Sequence, residues 1–162
     1  MIIPILEYRQ VIRCSDEVYY PQLVGVDLSV KSISKINSGD EFVGEILTNK
    51  TNIFTQHYRQ LPTVNGCFLL FPGIYSFTFE QGISLPSDHY SEIVPRSSLV
   101  RCGGVIGAGI YEPGYEVENI GCVVHLTNSI KIEVGARVAQ IKVYREHHFG
   151  VYAGQWAQKD IK

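Results

Sequence analysis

Between Val24 and Tyr144 every apolar run is short and is closed within a few residues by Gly, Pro, Asn or Asp. No run is long enough, or carries the right period, to be a long amphipathic helix. A chain punctuated this way must close its core from many short strands, so the expected fold is all-β, a distorted barrel or double sheet. Val24, Val26, Leu28 and Val30 alternate with Gly25, Asp27, Ser29 and Lys31, the two-residue period of a half-buried strand that sets Asp27 on the face opposite the valines. Residues 66–71 read as a continuous apolar strand ended by Pro72-Gly73, with 74–79 as its alternating neighbour and Tyr75, Phe77 and Phe79 on one face. Residues 85–88 are a turn before a short strand at 90–94. Val105-Ile106 begins a β arm, 120–126 and 130–134 are further strands, and 138–144 closes the sheet. Helix is expected only as a turn or two beginning near Ser97 and a short piece around Arg9 to Ile12. Asn37-Ser38-Gly39-Asp40 reads as a tight turn, and 48–65, with His57 and Arg59, as an irregular excursion.

At 162 residues the chain suits one domain spanning 1–162, in which 146–162 forms a C-terminal tail that packs on the barrel, on a neighbouring subunit or on a ligand. Hydrophobic residues make up 45% and charged residues 19%, a balance that leaves surface for burial in an assembly. A formal net charge of −2 supplies no general field for a polynucleotide, so an anionic ligand has to be held by a local cluster. No apolar run reaches the ~20 residues of a membrane-spanning helix. Cys14, Cys67, Cys102 and Cys122 are scattered, with no C-x-x-C pair and no His at zinc-ligand spacing, and the N-terminus has no signal-peptide pattern. The expectation is an intracellular, cytoplasmic protein with reduced thiols. Cys102 beside Arg101 is the alternative, a thiol activated by a neighbouring cation.

Three polar, glycine-marked elements separate the strands and carry the chemistry. Pro95-Arg96-Ser97-Ser98-Leu99-Val100-Arg101 gathers two hydroxyls and two guanidinium groups in one turn, a donor set suited to a phosphate chain. Gly107-Ala108-Gly109-Ile110-Tyr111-Glu112-Pro113-Gly114-Tyr115 follows, and then Gly135-Ala136-Arg137-Val138-Ala139-Gln140. His147-His148 lacks a third ligand at metal-binding spacing and reads as a solvated loop pair, while His57 and His89 have no evident partner.

Taken in this order, Val24-Gly25-Val26-Asp27-Leu28 and the three elements above resemble the dUTPase and dCTP deaminase superfamily over about 24–158. The ending Tyr152-Ala153-Gly154-Gln155-Trp156-Ala157-Gln158 is similar to the Tyr-x-Gly-Gln tails of archaeal-type and deaminase-like members. The resemblance implies a dUTPase-like distorted β-barrel (β-clip), a homotrimer, and sites where subunits meet. It implies a pyrimidine deoxynucleoside triphosphate as ligand and Mg²⁺ as cofactor. Ser97 and Arg101 take the place of the phosphate-binding pair, with Arg96 and Ser98 bracing the turn. Gln140 resembles a residue that contacts phosphate or base, and Asp27 the acidic residue that positions the magnesium-bound triphosphate through water. Tyr115 stands where the family lays a ring under the deoxyribose, excluding a 2′-hydroxyl. Trp156 either plugs a groove of the barrel or covers the bound nucleotide.

Two departures bear on the reaction. Where the family carries Asp to touch the sugar and orient the attacking water, this chain has Glu112. The extra methylene moves the carboxylate by about a bond length, and a ~1 Å misplacement loses on the order of a hundredfold in rate, although Glu is a competent general base. The stretch 116–121 is also a couple of residues longer than the usual connection, and counting back from Asn128 puts His125 where deaminating members have their shuttle Glu. The resemblance therefore implies a dUTP diphosphatase, giving dUMP and pyrophosphate. The alternatives are a dCTP deaminase, alone or bifunctional, with Glu116 or Glu118 as substitute shuttle, and a nucleotide-binding or structural relative without catalysis.

Overall fold

Val26–Ile36 is the longest strand and the spine of the molecule. In the computed structural model, which describes residues 1–36, 44–46, 53–54, 58–107 and 109–146, it sits in an antiparallel sheet. From one edge the strands run Gly104–Ile106, Gly121–Leu126, Gly73–Phe79, Val26–Ile36, Arg137–Arg145, His89–Pro95 and Gly109–Tyr111, with Tyr20–Pro21 and Tyr58–Gln60 also pairing to the spine. The first and last of these strands are joined in sequence by residues 107 and 108 alone. Three peptide links reach at most about 11 Å, so the two edges must approach each other and the sheet curls into a partial barrel. Ile12–Arg13, Gly82–Ser84 and Glu116–Val117 form a second sheet, and Cys67–Leu70 pairs with Ile130–Glu133 in a third.

The inward faces meet in one core. Tyr8, Leu28, Ile33, Phe77, Phe79, Ile83, Ile120, Leu126 and Ile141 are its largest fully buried side chains. Tyr75, Phe77 and Phe79 share the buried face of their strand, as their alternation predicts. The N-terminal segment closes one end: its short helix, Tyr8–Val11, drops the Tyr8 ring into the core, and the Tyr8 hydroxyl accepts from the Val143 N–H at 2.9 Å. No helix among the described residues is long and apolar enough to cross a membrane.

Three expectations need correction. Cys67–Leu70 does not pair with Gly73–Phe79; the Pro72-Gly73 link carries the chain into the other sheet, and the Tyr75 hydroxyl holds that corner by donating to the Phe71 carbonyl at 2.7 Å. Part of the supposed irregular excursion is regular, because Tyr58–Gln60 pairs with Ser34, Lys35 and Ile36; all three side chains are exposed, so no hydrophobic period marks them. The spine is also buried on both faces from Val26 to Val30, and Asp27 and Ser29 are fully covered. Over Ser29 lies Gln81, which accepts from the Ser29 N–H at 2.9 Å and donates to the Val18 carbonyl at 2.6 Å. The Asn37–Asp40 turn, His57, His147, His148, Trp156 and the tail from 147 lie outside the described residues.

Candidate functional site

Asp27 organises the polar face. Its register partner on Arg137–Arg145 is Gln140, whose amide Nε2 donates to Asp27 Oδ1 at 3.3 Å. Two guanidiniums share the other oxygen: Arg96 Nε lies 3.3 Å and Arg137 Nη1 3.5 Å from Asp27 Oδ2. Arg96 also donates to the Arg137 carbonyl at 3.1 Å, and the Arg137 guanidinium lies over the Tyr20 ring, 5.0 Å from its centroid. A buried carboxylate costs several kcal/mol unless paired, and here each oxygen has a charged or amide donor.

A β-bulge makes this convergence possible. Residues three apart on a regular strand point to opposite faces, so Arg137 and Gln140 should be separated by the sheet. Between Arg137, opposite Ser29, and Ala139, opposite Leu28, one extra residue enters the strand. That slip returns Gln140 to the face of Arg137. Gly135, in the left-handed region at φ +84°, makes the tight turn that leads in, bonded to Val30 at 2.8 Å. Gly25 supplies the remaining room, since a Cβ there would sit 2.5 Å from the Ile141 carbonyl and 3.0 Å from Gln140 Cγ.

The Ser/Arg turn continues from the same place. Pro95 pairs with Ala139, and the chain then enters the five-residue helix Ser97–Arg101 with Arg96 as its N-cap and no side-chain capping bond. Leu99 plugs the helix into the core, and Gly103, at φ +85°, ends it. Ser97, Ser98 and Arg101 face outward, and their side chains have no hydrogen bond or ion pair among the described residues. The serines therefore do not cap the helix; their hydroxyls are available.

Glu112 and Tyr115 stand elsewhere. They belong to the turn after Gly109–Tyr111, a strand on the outer side of His89–Pro95 in which Tyr111 pairs with Ser91. Glu112 is thus near the His89 end of the strand whose other end carries Arg96, and Tyr90 to Arg96 spans about 20 Å of extended backbone. Within one chain the two halves of the predicted site do not meet. The turn itself is firm: Gly114, at φ +81°, and Tyr115 bond to Leu85 at 3.1 and 2.9 Å, and the Tyr115 ring packs on Tyr111 at 4.9 Å. The Tyr111 hydroxyl donates to the Gly121 carbonyl at 2.7 Å, and burial pushes its pKa up to about 12.

The structure also locates the residues weighed for deamination. His125 is exposed on the outer sheet face, between Val105 and Ile74 in register. Glu116 is bound to Arg13 and sits in the small sheet opposite Ser84, and Asn119 is fixed by Lys31 and the Phe79 carbonyl. The additional residues at 116–121 thus build a strand edge.

Asp27 does not present a carboxylate to a cation. Both of its oxygens are engaged by Gln140 and the two arginines, and the positive charge around it opposes a metal ion. No group of three or more His, Cys, Asp or Glu suited to a metal occurs among the described residues. All four cysteines are free: Cys102 is exposed, and burial pushes the Cys122 thiol up to about 12.

Sequence reasoning missed the placement of Arg137 and the role of Tyr20. Strand periodicity sends Arg137 to the wrong face, and Tyr20 belongs to no motif.

The chain belongs to the dCTP deaminase-like family, whose model matches residues 8–146. It is 33% identical over 125 residues to a protein of Aeropyrum pernix named probable deoxyuridine 5′-triphosphate nucleotidohydrolase, covering 76% of this chain and 75% of that one. A protein of the same name from Methanopyrus kandleri is 27% identical over 145 residues, covering 88% and 90%. In fold the chain is similar to the 2′-deoxycytidine 5′-triphosphate deaminase of Agrobacterium tumefaciens, with TM-score 0.67 and 17% identity over 90% of this chain. It spans about half, 48%, of that deaminase chain. A mutant dUTPase of phage phi11 of S. aureus superposes with TM-score 0.51 at 11% identity, covering 91% and 97%.

Proposed function

We propose that the protein is a dUTP diphosphatase acting as a homotrimer, with each site assembled from two copies. The observation that carries this reading is the outward-facing set of Ser97, Ser98 and Arg101, without partners among the described residues, beside a buried carboxylate that immobilises Arg96 and Arg137. Such a surface offers hydroxyl and guanidinium donors to an anion of several phosphates and has nothing of its own to neutralise them. The separation of Glu112 from this surface supports a shared site, because a carboxylate about 20 Å away along one strand can serve only another copy's phosphates.

In this reading Ser97, Ser98 and Arg101 hold the phosphates, Arg96 braces them, and Gln140 is poised at the edge of the cluster. Glu112 from a neighbouring copy takes a proton from water as its oxygen bonds to the α-phosphorus, and the bond to the bridging oxygen breaks to release pyrophosphate. Tyr115 carries the deoxyribose. Magnesium enters as part of the substrate, carried on the triphosphate oxygens.

Incubation with dUTP, dCTP, dTTP and UTP in turn, each with Mg²⁺, tests this. Pyrophosphate release with dUTP, and little with UTP, is the expected outcome. Loss of cytosine absorbance from dCTP would instead establish deamination, and nucleotide binding without turnover a non-catalytic relative.

A further inference from the structure

A side chain next to Glu112 crosses the seam of the curled sheet. Gly109–Tyr111, at one edge, pairs with His89–Pro95, while Gly121–Leu126 pairs with Gly104–Ile106 and Gly73–Phe79 near the other edge. No ladder joins these two strands among the described residues. The Tyr111 hydroxyl makes the join: its 2.7 Å bond to the Gly121 carbonyl ties the last residue of the edge strand to the first residue of the strand that follows the loop 112–120. Most of that loop is held on residues 81–85. Gly114 and Tyr115 bond to Leu85, Glu116 and Val117 pair with Ser84 and Ile83, and the Ile120 N–H donates to the Gln81 carbonyl at 2.7 Å. Glu112 stands between the two attachments. Its carbonyl accepts from the Tyr115 N–H at 3.1 Å, and Pro113 confines its backbone to an extended form, so the direction in which it projects follows from where Tyr111 ends the strand. Ser91, opposite Tyr111 in register, is fully buried with a hydroxyl that has no partner among the described residues. Tyr111 directs its one donor past it and across the seam. Burial pushes that hydroxyl up to about 12, with Tyr115 and Cys122 close enough to add to the shift, so it stays protonated and donating at neutral pH.

We infer that Tyr111 is the positioning residue for Glu112, acting through the bond by which its hydroxyl closes the seam. The inference rests on the reading of Glu112 as the general base of dUTP hydrolysis and deepens it. Tyr111 fixes the strand end from which Glu112 projects. The Ser/Arg turn, at the far end of His89–Pro95, keeps its own attachments whether or not the seam is closed. Tyr115 is held by Leu85 as well as by the Tyr111 ring, so its place does not depend on the hydroxyl. One hydrogen bond is a small part of the stability of this fold, yet a carboxylate displaced by ~1 Å loses on the order of a hundredfold in rate. Turnover therefore depends on the Tyr111 hydroxyl more than folding does.

The test uses the full chain and compares the wild type with Tyr111→Phe, which keeps the ring and removes the donor, and with Ser91→Ala as the neighbouring control, each first checked by thermal melting. With dUTP and Mg²⁺, Tyr111→Phe is expected to lower kcat about 10- to 100-fold while KM changes less than about 2-fold, the pattern of a group felt in the transition state and not in binding. In the same folded variant, a thiol reagent followed by mass at the Cys122 peptide is expected to label Cys122 about 10-fold faster than in the wild type, because the seam beside it opens. Ser91→Ala is expected to match the wild type in both measurements. A residue that only packs the core would lower the melting temperature and leave kcat per folded molecule unchanged. That result overturns the inference, as does a fall in kcat with Cys122 still protected, an equal fall in Ser91→Ala, or a Tyr111→Phe chain that does not fold. In each of these the wild type still hydrolyses dUTP. A wild type that hydrolyses no deoxynucleoside triphosphate removes the dUTP reading itself, and the inference falls with it.

Discussion

At the Pro95 end of the strand His89–Pro95, the chemistry-bearing side chains are locked to one another: Arg96, Arg137 and Gln140 all close on one buried carboxylate, Asp27. At the His89 end, the backbone of the Glu112 turn is equally well bonded, yet Glu112 itself projects into solvent with no partner among the described residues. The contrast separates two ways of preparing a group for catalysis. A cationic cradle has to be assembled before substrate arrives, because like charges are brought together only around a counter-charge. A general base has to stay uncommitted until the reacting water is beside it, and a rigid turn holds it ready without spending it. One chain completes the first half alone; in the proposed function the second half does its work against a neighbouring copy.

Substitutions at the two ends should therefore fail differently. Glu112→Gln is expected to lower dUTP hydrolysis roughly 1,000-fold, within the range for removing a general base, and to leave the melting temperature unchanged, as steady-state kinetics and calorimetry would establish. A large drop in stability would show that Glu112 belongs to the scaffold. Gly25→Ala should do the opposite. Its Cβ would press on the Ile141 carbonyl at 2.5 Å and on Gln140, at an expected cost of about 1–3 kcal/mol in chemical denaturation. An unaffected unfolding midpoint would mean that the Asp27 end is looser than its contacts imply. The smallest effect is expected away from both ends: in thiol labelling near neutral pH, exposed Cys102 should react first, while Cys122, its thiol pushed up to about 12 by burial, should react only on unfolding, with little change in activity. Rapid labelling of Cys122 would contradict that order.

The fold class was legible because it depends on local facts, namely where the apolar runs stop and which residues alternate. Tyr75, Phe77 and Phe79 face the core as their spacing requires. Pairing was less legible, since the partner of Cys67–Leu70 lies sixty residues downstream and the Pro72-Gly73 link reads equally as a hairpin or a change of sheet. The site divides the same way. The donor set of the Ser/Arg turn and its short helix could be read from their own residues, and the structure adds Leu99 as the buried plug. The burial of Asp27 could not, because its cover comes from Arg96 and Arg137, and the one-residue slip after Arg137 is invisible to a two-residue period. The proposed place of Glu112 in a site shared between copies was not legible either, because it depends on a second copy of the chain, which no single sequence displays.

The central claim, that the cradle of one copy works with the Glu112 of another, is tested most directly by co-expressing two inactive variants, Arg101→Ala and Glu112→Gln. Random assembly places an intact cradle opposite an intact Glu112 in about a quarter of the sites, so the mixed oligomers should recover about a quarter of wild-type dUTP hydrolysis. Mixed oligomers that assemble and stay as inactive as either parent would contradict the account.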